Sequence, residues 1–421
     1  MRSSIAIVLL VVSSCLFSSC FFYGKTKVYD TIEGINSDAA SDSLVNCMII
    51  HGIGIKDSNY ADLLIANLCN ELKIEGIQLN QKVKIRNNFN SSLNLKADSG
   101  CIYFLEGKAR NTAKRYRFFV IHWSPITYAF KNELKNFDFD KQRSKLFLRK
   151  NKRKIMNENL SDVAAYMNPD YKDYIQKLVE QAFILMFHKD PSKADSPIYI
   201  LQSLNVLSGS FGSRIVLDVF NKNLEWMQKS YSQLTPEEQL TDRYLEKLKP
   251  GFKKDIEKFL VQQPINFYML SNQLPLFTIF NSHKTNPQSA SQSRDSLNEY
   301  ERLYSNIRKS EYSIKQIVPT TQPDSVGAIL NKQLIIFNDP NDFLGYRVRK
   351  EIFGKDSTGK FIYDVRNVSM RNTPVLIPGV LKFSNPGKAH ELAFKNRDLH
   401  QIIAKGKCRN HAYWYNKSGS H

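Results

Sequence analysis

The sequence predicts an α/β fold: a mostly parallel central sheet with helices on both faces, carrying helical insertions. Three observations carry this expectation. Short apolar runs bounded by turn residues recur at 45–51, 101–105, 117–122, 264–270 and 334–337, the mark of strands buried on both faces. Segments with apolar residues at helical spacing separate several of these runs, as crossover connections require. The apolar share, 42% of 421 residues with 26 Phe and 20 Tyr, is ample for a buried core and excludes wholesale disorder. A chain of this length holds one large domain with insertions, or two domains.

The first element is a targeting segment. Arg2 precedes the apolar run Ile5 to Val12, and the small residues Ser13 and Ser14 follow, the layout of a signal peptide. Val12-Ser13-Ser14-Cys15 and Phe17-Ser18-Ser19-Cys20 both resemble the bacterial lipobox, in which the cysteine is lipidated and becomes the mature N-terminus. Cys20 is preferred over Cys15, because cleavage there removes the whole apolar run. An uncleaved helix from Ile5 to Tyr23 approaches a membrane span in length, but its serines and cysteines make it a poor one. The expected organisation is a signal at 1–20, a polar tether at 21–43, one α/β domain with helical insertions at 44–410 and a tail at 411–421. An exported protein, lipid-anchored to a bacterial cell-envelope membrane, is the resulting expectation.

Within the domain, 45–51 reads as a buried strand and Tyr60 to Leu72 as a helix with Leu63, Leu64, Leu68 and Leu72 at helical spacing. Strands at 101–105 and 117–122 follow, the second running into Trp123-Ser124-Pro125. Asn159 to Phe187 reads as loop and then helix. Thr235-Pro236-Glu237-Glu238 is a capping box with proline at the first helical position, opening a helix to about Leu248. Another helix is expected over Phe252 to Val261. These two are either a lid over a pocket or a surface hairpin; they and the stretch 136–190 form the expected insertions, the second spanning about 222–262. Residues 281–297 are rich in Ser, Asn, Gln and Lys and read as a loop. A late strand at Leu334 to Phe337 and a closing helix at Asn396 to Ala404 complete the pass.

Three segments carry chemistry. The apolar run Ile198 to Leu207 enters Ser208-Gly209-Ser210-Phe211-Gly212-Ser213, and a helix-compatible segment leaves it. This is the layout of a nucleophile elbow, G-x-S-x-G, with Ser208 where the first glycine usually stands. Cys47-Met48-Ile49-Ile50-His51-Gly52-Ile53-Gly54 is an early strand running into H-G-x-G, a loop type that turns N–H groups toward a developing oxyanion. Near the C-terminus come Leu334 to Phe337, then Asn338-Asp339-Pro340-Asn341-Asp342, and later Asn385-Pro386-Gly387-Lys388-Ala389-His390. In the order Ser, Asp, His, the chain resembles the α/β-hydrolase superfamily on its lipase and esterase side. The resemblance covers roughly residues 45–135 and 195–410.

The resemblance implies Ser210 as nucleophile and His390 as general base, since a serine hydroxyl needs an imidazole to take its proton. Ser213 lies one helical turn too late and is expected to hydrogen-bond locally. The acid is Asp342 or Asp339. Asp342 precedes Phe343-Leu344 and is preferred, whereas Asp339 has the alternative of capping the Pro340-Asn341 turn. His400 falls in a helical pattern and is expected on the surface, while His411 and His421 lie in the tail. The oxyanion donors are the N–H groups of Ile53 and Phe211. The expected activity is hydrolysis of carboxylic esters through an acyl-enzyme, with a catalytically inactive hydrolase fold serving as an interaction protein as the alternative.

Other chemistries lack their residues. Gly52-Ile53-Gly54 has no third glycine at dinucleotide-binding spacing, the elbow has no Gly-Lys-Ser/Thr, and no H-E-x-x-H or calcium loop occurs. No cofactor and no metal are expected. Cys47, Cys69, Cys101 and Cys408 remain beyond the signal, an even number with no C-x-x-C and no assigned pairing. The net charge of +19 is concentrated: Lys141 to Lys154 contains eight Lys or Arg and no acid. Such a run is either a solvated face or a patch for anionic lipid headgroups. Nucleic acid is not an expected partner of an anchored exported protein.

Overall fold

A computed structural model of the chain describes residues 26–28, 32–36, 44–84, 100–110, 112–137, 153–191, 193, 196–227, 229–275, 332–339, 342, 345–353, 363–370, 390, 393–407 and 412–413. The signal region with Cys15 and Cys20, Lys141 to Lys152 of the basic run, the 281–297 loop, Cys408, His411 and His421 lie outside the described residues.

The strands are β1 (Lys27–Val28), β2 (Leu44–Ile50), β3 (Ile74–Lys84), β4 (Cys101–Ala109), β5 (Arg115–His122), β6 (Leu204–Gly209), β7 (Ile265–Leu270), β8 (Lys332–Asn338), β9 (Asp364–Ser369) and β10 (Ala412–Tyr413). They form one sheet in the order β10-β1-β9-β8-β7-β6-β2-β5-β4-β3. The central run from β5 through β2, β6, β7 and β8 to β9 is parallel. At one margin β4 pairs antiparallel with both β5 and β3. The molecule is therefore an α/β protein with a mixed, mostly parallel sheet. Four of its strands are absent from the sequence-based pass: β3 and β9, and the two-residue β1 and β10, which fall in the expected tether and tail.

Helices α1 (Asp62–Leu72), α2 (Tyr128–Phe137), α3 (Ser161–Met167), α4 (Pro169–Met186), α5 (Gly212–Met227), α6 (Pro236–Leu248), α7 (Phe252–Gln262) and α8 (Arg397–Lys405) accompany the sheet, with a π-helical stretch at Arg153–Leu160 before α3. Strand alternation divides the apolar residues between two cores. Met48, Phe119, Val206, Phe267 and Ile336 face Ile175 and Leu178 of α4, Val216 of α5 and Phe259 of α7. Cys47, Ile49, Phe118, Leu207 and Ile335 face Leu64 and Leu68 of α1 and Ile402 of α8. Both faces are thus covered by helices.

The capping box forms as the sequence implies: the Thr235 hydroxyl accepts from the Glu238 N–H at 3.3 Å, and the Glu238 carboxylate accepts from the Thr235 N–H at 2.8 Å. Helix α7 buries Phe252, Ile256, Phe259 and Leu260 in the core, with Phe252 edge-on to Phe187 at 5.4 Å. Helix α5 leaves the sheet at Ser210 and runs back along it, so α6 and α7 follow its far end. Helix α7 is thus packed into the core. Likewise α4, inside the expected 136–190 insertion, is a principal sheet-covering helix with eight buried residues. His400, expected on the surface, is 1% exposed and donates through Nε2 to the Phe394 carbonyl at 2.9 Å.

The N-terminal segment is tied to the last helix. Thr26 Oγ1 donates to Asp398 Oδ2 at 2.6 Å, and the N–H groups of Ile35 and Asn36 donate to the carbonyls of Ile403 and Ala404 at 2.7 and 3.0 Å. Tyr268 on β7 donates to the Glu33 carbonyl at 2.9 Å. Among the described residues no helix is long and apolar enough to cross a membrane.

After β2 the chain winds through β3 and β4 to β5 on one side, then crosses to β6 on the other. The gap between β2 and β6 is a topological switch point, and in open α/β sheets ligands bind there, outside the carboxyl ends of the strands. His51-Gly52 and Ser210 stand at that place.

Candidate active site

Strand β6 gives way to α5 through two residues, Ser210 and Phe211, with Ser210 at φ +50°. A non-glycine residue in the left-handed region is strained by about 1–3 kcal/mol and persists where its surroundings over-determine it. Here the Ser210 N–H donates to the Leu270 carbonyl at 2.7 Å, and glycines close the space around it. A Cβ on Gly52 would lie 2.6 Å from Ser210 Cβ, one on Gly212 2.6 Å from the His51 carbonyl oxygen, and one on Gly209 2.5 Å from the Phe394 ring. Ser208, the departure from G-x-S-x-G, is accommodated: its hydroxyl is 2.9 Å from that of Ser213. The local partner expected for Ser213 is therefore Ser208.

The loop after β2 is held by side chains at several backbone groups. His51 Nδ1 donates to the Gly52 carbonyl at 2.7 Å, and its Nε2 accepts from the N–H groups of Trp123 and Ser124 at 3.2 and 3.3 Å. This pattern fixes the neutral Nδ1–H tautomer. Burial pushes the His51 pKa well below the usual histidine value, and its ring stacks on Trp123 at 4.9 Å. Asp162 Oδ2 accepts from the Gly54 N–H at 2.6 Å, and Ser124 Oγ donates to the Gly54 carbonyl at 3.2 Å. His122 Nε2 donates to the Lys56 carbonyl at 2.7 Å. Gly54 itself is at φ +103°.

Asp162 is wholly buried at the start of α3, where its Oδ1 accepts from Thr127 Oγ1 at 2.6 Å and pairs with Lys131 Nζ of α2 at 2.7 Å. Desolvation pushes the Asp162 pKa up and the Lys131 pKa down, with their mutual attraction opposing both shifts. The sequence-based reading missed Asp162 and Lys131, since an aspartate near a helix start and a lysine in an amphipathic helix are ordinary surface features.

A trans peptide points its C=O and N–H in opposite directions. The Gly52 carbonyl turns toward the His51 ring, so the Ile53 N–H turns away from it, and no described residue accepts from that N–H. Gly52, the residue before Ile53, abuts Ser210. Phe211, the other expected donor, is buried with its ring edge-on to Tyr166 at 5.2 Å.

His390 lies against Asp342, with Nδ1 2.9 Å from Oδ2 and 3.1 Å from Oδ1. The Asp342 side chain is fully buried and that of His390 is 19% exposed. Asp342 follows β8 in a turn where its N–H donates to the Asp339 carbonyl at 3.0 Å. Thus, of the two aspartates the sequence offers, Asp342 holds the histidine. The segment after His390 places Phe394 over Gly209 of the elbow. Ser210 Oγ is buried and has no hydrogen-bond partner, so the serine and His390 are not hydrogen-bonded to each other here. Among the described residues no cluster of His, Cys, Asp and Glu has the arrangement of a metal site, and Cys47, Cys69 and Cys101 are in no disulfide.

Comparison with protein-family models, with curated proteins and with solved structures finds no match to this chain.

Proposed function

We propose that this chain is a serine hydrolase of carboxylic esters, similar in design to the lipases and esterases of the α/β-hydrolase superfamily and held at a bacterial envelope membrane by a lipid on Cys20. The observation that carries the reading is Ser210: a left-handed, non-glycine residue at a strand-to-helix turn, at the switch point, against the loop that carries the unengaged Ile53 N–H. In this reading Ser210 Oγ attacks the ester carbonyl carbon and His390 Nε2 takes its proton. The N–H groups of Ile53 and Phe211 receive the oxyanion. His390 returns the proton to the departing alcohol, and water then cleaves the acyl-enzyme by the same route. Asp342 fixes the Nδ1–H tautomer and stabilises the imidazolium.

Closing the Ser210–His390 hydrogen bond falls to the substrate complex, because such contacts are often long before substrate binds. The unpartnered serine hydroxyl also favours a second reading, a hydrolase fold without activity. A fluorophosphonate probe separates the two. Ser210 should be labelled in the wild-type protein, and Ser210→Ala and His390→Ala should each abolish labelling and ester hydrolysis. The double variant should be scarcely worse than either single one, since both disable one step. Asp342→Asn should cost about 10⁴-fold in rate, and Asp339→Asn far less. A wild-type protein that neither labels nor hydrolyses a broad ester panel sinks the hydrolase reading.

A further inference from the structure

Strands β7 and β8 are apolar along Phe267–Leu270 and Leu334–Phe337, yet the level just above them is polar. The register pairs Gly209 with Leu270 and Leu270 with Phe337, so the next level across the three strands is Ser210, Ser271 and Asn338. The ladder continues through it: Ser210 N–H donates to the Leu270 carbonyl at 2.7 Å and Ser271 N–H to the Phe337 carbonyl at 2.9 Å. The three residues therefore stand about 4.8 Å apart from strand to strand. Ser271 repeats the left-handed backbone of Ser210, at φ +51°.

All of these side chains are buried, and their polar atoms are unsatisfied. Ser271 Oγ and both amide atoms of Asn338 have no partner, nor does Ser210 Oγ. Asn272 Nδ2 and Gln273 Nε2, directly after Ser271, are in the same condition, although Asn272 Oδ1 is used by the Leu274 N–H at 2.8 Å. Each buried, unsatisfied polar atom costs about 1–3 kcal/mol, and native folds contain few. Six of them at one edge stabilise nothing in the free chain. Apolar side chains of the same size would serve the core better.

The geometry points to a subsite beside Ser210, formed by Ser271, Asn272, Gln273 and Asn338, that binds the hydroxyl groups of a neutral polyol or carbohydrate portion of the ester. Asn338 offers donors and an acceptor, Ser271 both, and the two other amides donate. Hydroxyl groups answer such a set because each donates and accepts. The set contains no cation, and Asp339 and Asp342 follow closely in the chain, so an anionic ligand is disfavoured. A plain alkyl chain would leave all six atoms unsatisfied.

The inference rests on the hydrolase reading for the word ester, so the test is a binding measurement that needs no turnover. In Ser210→Ala, a hexose monohexyl ether and dihexyl ether are compared by saturation-transfer NMR and titration. The hexose ether should bind at least about tenfold more tightly, because a site built to hydrogen-bond a hydroxyl rejects analogues lacking it. Adding Asn338→Leu should erase that preference while leaving the alkyl ether within about twofold. Ser271→Ala, a smaller change, serves if the leucine variant fails to fold, and should weaken hexose binding alone. Equal affinity for the two ethers, or a preference that survives both substitutions, overturns the subsite and assigns the unsatisfied atoms to ordered water. Loss of fluorophosphonate labelling in the wild type would instead strike the hydrolase reading, with hexose binding intact.

Discussion

Replacing Asp162 by alanine tests the support beneath the His51–Gly54 loop. Its carboxylate has three partners at 2.6–2.7 Å: the Gly54 N–H, the Thr127 hydroxyl and the Lys131 ammonium. The side chains of Asp162 and Lys131 are 0% and 1% exposed. Removing one member of such a pair leaves an uncompensated buried charge, a loss of about 3–5 kcal/mol. Desolvation already pulls the Lys131 pKa down, and without Asp162 the lysine escapes part of the cost by deprotonating. Urea denaturation should therefore show about 3 kcal/mol lost at neutral pH, the low end of that range. The double variant Asp162→Leu with Lys131→Met should recover most of the stability, since a buried pair replaced by apolar residues is often neutral. It should not recover activity, because the Gly54 N–H still lacks its acceptor and the loop its anchor. A single-variant loss below about 1 kcal/mol would refute the buried-pair account. Full activity in the double variant would refute the anchoring role.

Acid should destabilise the fold early. Burial lowers the pKa of His51, His122, His188 and His400 below the ordinary 6.5, so the unfolded chain binds protons there that the folded chain does not. Stability is then full above about pH 6.5 and falls as pH drops through it, by about 1.4 kcal/mol per pH unit per histidine. His51→Gln should reduce the slope of urea stability by roughly half a proton near pH 6.5, rising to about nine-tenths near pH 5.5, and an unchanged slope would remove His51 from the account. Radiolabelled palmitate should enter the wild-type protein in a bacterium that processes lipoproteins and should be lost in Cys20→Ser; persistent label would move the site to Cys15 or discard the lipid anchor. Glutamine in place of the basic residues from Lys141 to Lys154 should weaken binding to anionic vesicles at low salt and leave hydrolysis of a soluble ester unchanged. Vesicle binding that does not change returns the run to a solvated face.

What the sequence made legible was whatever rests on local signals. Strands β2, β5, β7 and β8 each carry a run of four apolar residues, and the start of α6 is written in Thr235, Pro236 and Glu238. Strand β3 was hidden because two register shifts against β4, between Glu75 and Gln78 and between Leu79 and Gln81, break its two-residue alternation. Strand β9, Asp-Val-Arg-Asn-Val-Ser, is too polar and too partially buried to stand out. At the site, Ser210 and the Gly52-Ile53 loop announced themselves through glycine, while the choice between Asp339 and Asp342 needed the third dimension. The neutral state of His51 and the pairing of Asp162 with Lys131 arise from contacts 72 and 31 positions apart, which no window of sequence contains.

The ties between Thr26 and Asp398, and between Ile35 and Ile403, bear on the order in which the molecule comes into being. The first described segment cannot settle until nearly the last has been made, and Phe394 reaches the elbow only at that same late stage. A protein joined end to end in this way completes its shape only after the final helix is free of the machinery that produced it. Whatever chemistry the serine performs is withheld until then.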